Sequence, residues 1–226
     1  MESIYRTALG HEFTKLHPQI QKRFGFSSKD NLAAIGTGVM QNVWHGKFYT
    51  LPFLAVGTWR NIMFPSQGKN IPFTIENYAY RDSLSRETVT WIRTFQFIPR
   101  VRRFDATMIY SEERKKIVDY LGTHQHLAVD IDASVAPNGG IRIRSGEQRF
   151  YEGPVQFVFP MIFSGRAEVC EWYDETRNKF KIEVNVHNDI WGPLFGYSGT
   201  FDVEFKRVTP QEIPIDVKPL REEKRE

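Results

Sequence analysis

The spacing of apolar positions changes along the chain. Ile4, Ala8, Phe13, Leu16, Ile20 and Phe24 recur at roughly helical spacing, so residues 3–24 predict helix. Pro18 divides that stretch into two short helices, and Gly25 stops the second. Residues 50–64 predict a further helix, with Thr50 as its N-cap and Pro52 in its first turn. From Thr88 onward the period is two. Val89, Trp91, Arg93, Phe95 and Phe97 share one face of a strand, and Phe104, Ala106, Met108 and Tyr110 share one face of the next. Residues 115–121 follow the charged turn SEERK. Leu127, Val129, Ile131 and Ala133 then alternate with Asp130 and Asp132. Pro137 to Gly140 reads as a turn, Ile141 and Ile143 resume the alternation, and Ser145-Gly146 reads as another turn. Residues 167–173, 180–186 and 200–205 complete the strands.

Short turns between successive strands mean antiparallel pairing, because parallel neighbours need a long crossover. The predicted fold class is α+β: N-terminal helices beside one large antiparallel meander that curls into a barrel or half-barrel. The predicted domain spans residues 1–208. Residues 209–226 carry three prolines and end in REEKRE, and they read as an extended, charged, solvated tail.

Composition adds a little. Aromatic residues make up 14% of 226, a payload suited to strands and large apolar contacts. The formal charge of +3 is too small to argue for nucleic acid by itself. Cys170 is the sole cysteine, so no internal disulfide can form, which fits a reducing compartment. No apolar run approaches the roughly 18 residues needed to span a membrane. The first residues lack the apolar core of a signal peptide. Together these features read as a cytoplasmic protein.

Gly36-Thr37-Gly38 follows an apolar run and raises the question of a phosphate-cradling turn. The dinucleotide fingerprint requires a third glycine where this chain has Gln41, and an acidic residue about 20 residues further on. Here that region reads Ala55-Val56-Gly57-Thr58-Trp59. The glycines instead suit a strand with a bulge or a close backbone approach.

ALGHEFTKLHPQIQKRF, GTGVMQNVWHG, ETVTWIRTFQF, KIVDYLG, NGGIRIRSGEQRF and FKIEVNVHNDIWGPLFGYSGTFDVEF together carry a family likeness. Over residues 7–207 the chain resembles the bacterial domain-of-unknown-function family 4166. Members of that family also occur fused behind saccharopine-dehydrogenase-like dinucleotide domains. The resemblance therefore implies a dehydrogenase-like protein partner in redox metabolism. It brings no catalytic residues and no cofactor.

Four constellations carry candidate chemistry. In HQHLAVDID, strand parity puts His124, His126, Asp130 and Asp132 on one face, where a His-x-His pair can grip a divalent metal. The opposite apolar face favours a solvent-facing polar row instead, and no metal is assigned. HNDIWGPLFGYSG offers His187, Asn188, Asp189, Trp191 and Tyr197 as base, donors and stacking surface, or else forms a loop that caps the barrel. Arg93 interrupts the apolar face between Trp91 and Phe95. A buried cation there needs an internal partner or an anionic ligand. Arg100, Arg102, Arg103, Arg142, Arg144 and Arg149 form basic clusters, suited to single-stranded nucleic acid or to a charged outer sheet face. The second reading is preferred, because acids nearly match bases in number. Cys170 has no cationic neighbour in sequence to activate it.

The leading functional expectation is a small-molecule-binding module with an aromatic pocket lined by Trp91, Arg93, Phe95, His187, Asn188, Asp189, Trp191 and Tyr197. One alternative is an enzyme acting beside a dehydrogenase-like partner, with His187 as its titratable group. The other is an interaction domain that docks another protein through a sheet edge or the aromatic loop. No cofactor is assigned.

Overall fold

A computed structural model describes residues 2–226, apart from the side chains of Phe53 and Phe163. The N-terminal periodicity forms α1 (Ile4–Leu9), a 3₁₀ turn (Gly10–Lys15) and α2 (Pro18–Phe24). The Ser3 side chain caps α1 by accepting from the Arg6 N–H. Pro18 opens α2, where its missing N–H costs no hydrogen bond.

The strands follow as β1 (Leu32–His45), β2 (Gly68–Arg81), β3 (Glu87–Phe97), β4 (Arg100–Ser111), β5 (Lys116–Leu121) and β6 (Leu127–Val135). Then come β7 (Ile141–Glu152), β8 (Val155–Val158), β9 (Arg166–Asp174), β10 (Lys179–Asn188) and β11 (Gly192–Arg207). Helix α3 (Leu51–Trp59) lies between β1 and β2. Every pairing is antiparallel, and β1 through β7 run in sequence order around the sheet. β7 pairs with β9, β9 with β10, β10 with β11, and β11 returns to β1. Ten strands thus close into a barrel, and β8 is a short addition on β7. The expected fold class holds in its closed form.

The glycines of β1 serve that closure. Gly36 and Gly38 pair with β2 on one side and β11 on the other. A Cβ on Gly36 would meet Ile75 and Phe201, and one on Gly38 would meet the Thr200 carbonyl. The register shift lies beyond these glycines, between Met40 and Asn42.

Other details depart from expectation. Helix α3 ends at Trp59, and Thr50 is its N-cap residue without a side-chain cap bond: its hydroxyl donates back to the Lys47 carbonyl at 2.7 Å. Ser145-Gly146 is no turn but lies within β7, where the pairing with β6 shifts register. Residues 192–199 form the first half of β11 rather than a capping loop. β2 and β8 were not foreseen.

The interior is filled unevenly. Phe64, Phe73, Phe95, Phe195 and Tyr197 stack edge-on or tilted, with successive ring centroids 4.9–6.1 Å apart. Tyr5 and Phe24 from the N-terminal helices pack in beside Trp91. The Tyr5 hydroxyl donates to Met108 Sδ at 3.2 Å. Arg23 of α2 is buried in an ion pair with Glu171 of β9, which ties the helices to the barrel wall.

The segment after Thr209 includes a 3₁₀ turn (Ile215–Val217) and packs on the outside of the barrel, where Ile213, Val217 and Glu223 are buried rather than solvated. Ile213 and Val217 join Tyr78, Tyr80 and Ile92 in a second apolar cluster. The Tyr120 and Tyr151 hydroxyls donate to the carbonyls of Arg225 and Glu226, at 2.9 and 3.0 Å.

Candidate functional site

Strands β5, β6, β7, β9 and β10 turn aliphatic residues inward: Leu121, Leu127, Val129, Ile131, Ile143, Ala167, Val169, Val184 and Val186. These are too short to reach the aromatic side of a ten-stranded barrel, so a cavity of about 200 Å³ remains between them and β3 and β4. Val56, Gly57 and Arg60 of α3 and its end border it at the mouth, together with Phe159, Ser164 and Gly165.

Two buried charged side chains face this apolar space. Arg93 is 4% exposed. Its Nε donates to the Phe104 carbonyl at 3.2 Å, and Nη1 donates to the Tyr197 hydroxyl at 3.4 Å. Its guanidinium carbon lies 3.7 Å from the centre of the Phe104 ring. Asp119 of β5 is 6% exposed, and its Oδ1 has no hydrogen-bond partner. Burial pushes its carboxyl up to about 7, against the pull of Arg93. Both side chains line the cavity, yet they form no ion pair with each other or with another residue described here. At the mouth, Gln148 donates to the Gly165 carbonyl at 2.7 Å and accepts from the Ser164 hydroxyl, which pins β7 to the segment before β9.

The structure divides the eight expected site residues. Trp91 and Arg93 line the cavity, and Tyr197 is the hydroxyl that holds Arg93. Phe95 lies in the filled, aromatic side. Asn188 is buried and shapes the mouth: its amide donates to the Met161 and Ile162 carbonyls, and its Oδ1 accepts from the N–H groups of Ile190 and Trp191. Trp191 donates to the Ile162 carbonyl at 3.1 Å and lies tilted against Tyr49, half exposed. His187 and Asp189 lie 3.6 Å apart on the surface with Arg166, outside the cavity. Asp119 was missed. Its signal is KIVDYL, where it shares the inward parity of Ile117 and Leu121.

The HQHLAVDID face does not assemble. Gln125 has φ 51°, so strand parity begins only at Leu127. His124 and His126 stack 5.6 Å apart beside Arg60 and Arg221. Asp130 is held between Arg114 and Arg149, and Asp132 pairs with Lys116. No group of three or more His, Cys, Asp or Glu suited to a metal forms among the described residues. The basic clusters are largely neutralised: Arg103 pairs with Asp105 and Asp216, Arg142 and Arg144 with Glu168, and Arg149 with Asp130 and Glu147. Arg102 donates to the Ser66 hydroxyl at 2.8 Å. Burial raises the Cys170 thiol above its usual range, the opposite of activation. Among the described residues no helix is long and apolar enough to cross a membrane.

No solved structure matches the chain. A protein of Bacillus subtilis (strain 168), described as "Uncharacterized protein YndH", is 36% identical over 204 residues, covering 90% of this chain and 98% of its own length. The family described as "Domain of unknown function (DUF4166)" matches residues 16–201. With most of the barrel inside that match, the chain belongs to the DUF4166 family.

Proposed function

We propose that the protein is a small-molecule-binding barrel whose site is the internal cavity, with Arg93 and Trp91 among its ligand contacts. One observation carries this reading. A preformed apolar cavity holds a buried cation and a buried carboxyl group that do not satisfy each other. A folded chain that needed only stability would gain by filling the space and removing the charges. The lone Cys170 supports a cytoplasmic setting.

Native mass spectrometry of protein from its own host tests the reading. The expected result is a mass excess that denaturation releases and that Val129→Phe, which fills part of the cavity, does not retain. An apo wild-type protein, or a Val129→Phe protein with the same mass excess, removes the cavity as the site.

A second reading, docking to another protein such as a dehydrogenase-like partner, draws on the outer rim. Phe48, Val56 and Trp59 are 81%, 69% and 78% exposed, and Trp191 lies close to the same end through Tyr49. Helix α3 has no polar face. Under this reading Trp59→Ser abolishes copurification of a protein partner and leaves any bound small molecule in place. Under the cavity reading alone, no partner is there to lose. The enzyme alternative now rests on Asp119 rather than His187, because Asp119 is the titratable group inside the cavity.

A further inference from the structure

We propose that the cavity takes a small apolar molecule bearing a single carboxylic acid. Arg93 receives the carboxylate, and the Asp119 carboxyl group donates a second hydrogen bond to it. The inference rests on the cavity reading above and adds the chemistry of the ligand's polar end.

A guanidinium has five N–H donors, and those of Arg93 make two hydrogen bonds, to Phe104 O and Tyr197 Oη. Among the described residues no carboxylate pairs with it, although the side chain is 4% exposed. Leu121, Val129 and Ile131 of the surrounding wall offer no acceptor. A permanent cation in such a place is costly until an anion reaches it, and a planar carboxylate matches the guanidinium fork.

Asp119 sets the charge of that anion. Its Oδ1 is unpartnered and it borders the same cavity. One cation with one neutral donor balances a monoanion. A phosphate monoester brings about −1.5 to −2 charges and needs further cations. Arg60, the other cation on the lining, belongs to the mouth and approaches His126. A ligand ammonium would face Arg93 directly. An apolar body then fills the aliphatic remainder of a cavity whose whole volume equals about seven waters.

The assignment carries a pH dependence. The titratable and charged groups that face Asp119 are Arg93 from β3 and Tyr5 from α1. Burial raises the Tyr5 phenol, so it stays neutral. As pH rises through about 7, Asp119 ionises and repels a bound carboxylate. Affinity therefore falls with rising pH, approaching a tenfold loss for each pH unit, about the limit for one coupled proton.

Isothermal titration calorimetry with octanoate, 1-octanol and octylamine tests this on the full chain. At about pH 6, octanoate is expected to bind at least about tenfold tighter than either other probe. Arg93→Met should keep 1-octanol binding and bring the preference for octanoate below about threefold. Asp119→Asn, which keeps a donor, should retain octanoate and show no loss between about pH 6 and about pH 8. That second variant decides the matter if Arg93→Met does not fold. If 1-octanol or octylamine binds as tightly as octanoate, the acid assignment falls and the cavity reading stands. If none of the three binds the wild-type protein, both fall.

Discussion

Asp119 lines the cavity beside Leu121 and Val129 with one oxygen unbonded, so the neutral carboxyl is the form the barrel accommodates. Its carboxyl moves from 3.8 to about 7 on burial. Between those values the folded chain holds a proton that the unfolded chain has released. Stability therefore declines as pH rises through that window and levels off above it. Asp119→Asn keeps the shape and removes the ionisation. It is expected to stabilise the unliganded protein by on the order of 2–4 kcal/mol at about pH 8, and by little at about pH 4. Urea unfolding at the two pH values measures the difference. An equal gain at both would assign the effect to packing instead of charge. Glu171 shows the other solution to the same problem. Burial raises its carboxyl, but Arg23 sits against it and opposes the rise, so that pair is structural.

At the scale of elements, the seam between β1 and β11 closes the barrel, and glycine lets the strands approach there. Gly38→Ala would place a Cβ 2.5 Å from Phe201 Cα and against the Thr200 carbonyl. Neither neighbour is the free end of a side chain. The expected cost is about 2 kcal/mol or more, read as a lowered urea midpoint with unchanged slope. A neutral result would mean that the seam can part locally without loss. The same glycines show what could be read in advance. Alternation in TVTWIRTFQF located β3 and put Arg93 inward, and Gly36-Thr37-Gly38 was legible as a close approach. GPLFGYSG was not, because Gly196 and Gly199 look like turn residues until Trp44 and Met40 are seen lying over them. β2 escaped notice because both its faces are covered. Phe73 and Ile75 point into the barrel, while Tyr78 and Tyr80 lie under the C-terminal segment, so no simple alternation survives. The site was half legible for a related reason. Arg93 stands out among aromatics, whereas Asp119 sits in a six-residue strand and gains meaning only when β4 brings the two to one cavity.

For the whole molecule, the segment after Thr209 acts as a strap over the closed barrel. Its far end turns on Glu223, which is 4% exposed. The Glu223 N–H donates to Gln125, and the carboxylate receives Arg225 and Arg221. The Arg225 hydrogen bond, foremost among these contacts, holds the carboxyl down at about 2 from a usual 4.5. The stabilisation is therefore present in full above about 4.5 and is lost as pH falls towards about 2. Glu223→Gln removes it at neutral pH, with an expected cost of about 1–3 kcal/mol that shrinks as the wild-type group is protonated. Because the contact belongs to the strap, the sharper measurement is limited trypsin digestion at neutral pH. Cleavage at Arg221 and Lys224 should accelerate in the variant before the barrel itself is cut. Unchanged trimming would mean that burial of Ile213 and Val217 alone holds the strap and that the Glu223 ion cluster follows from its position without securing it.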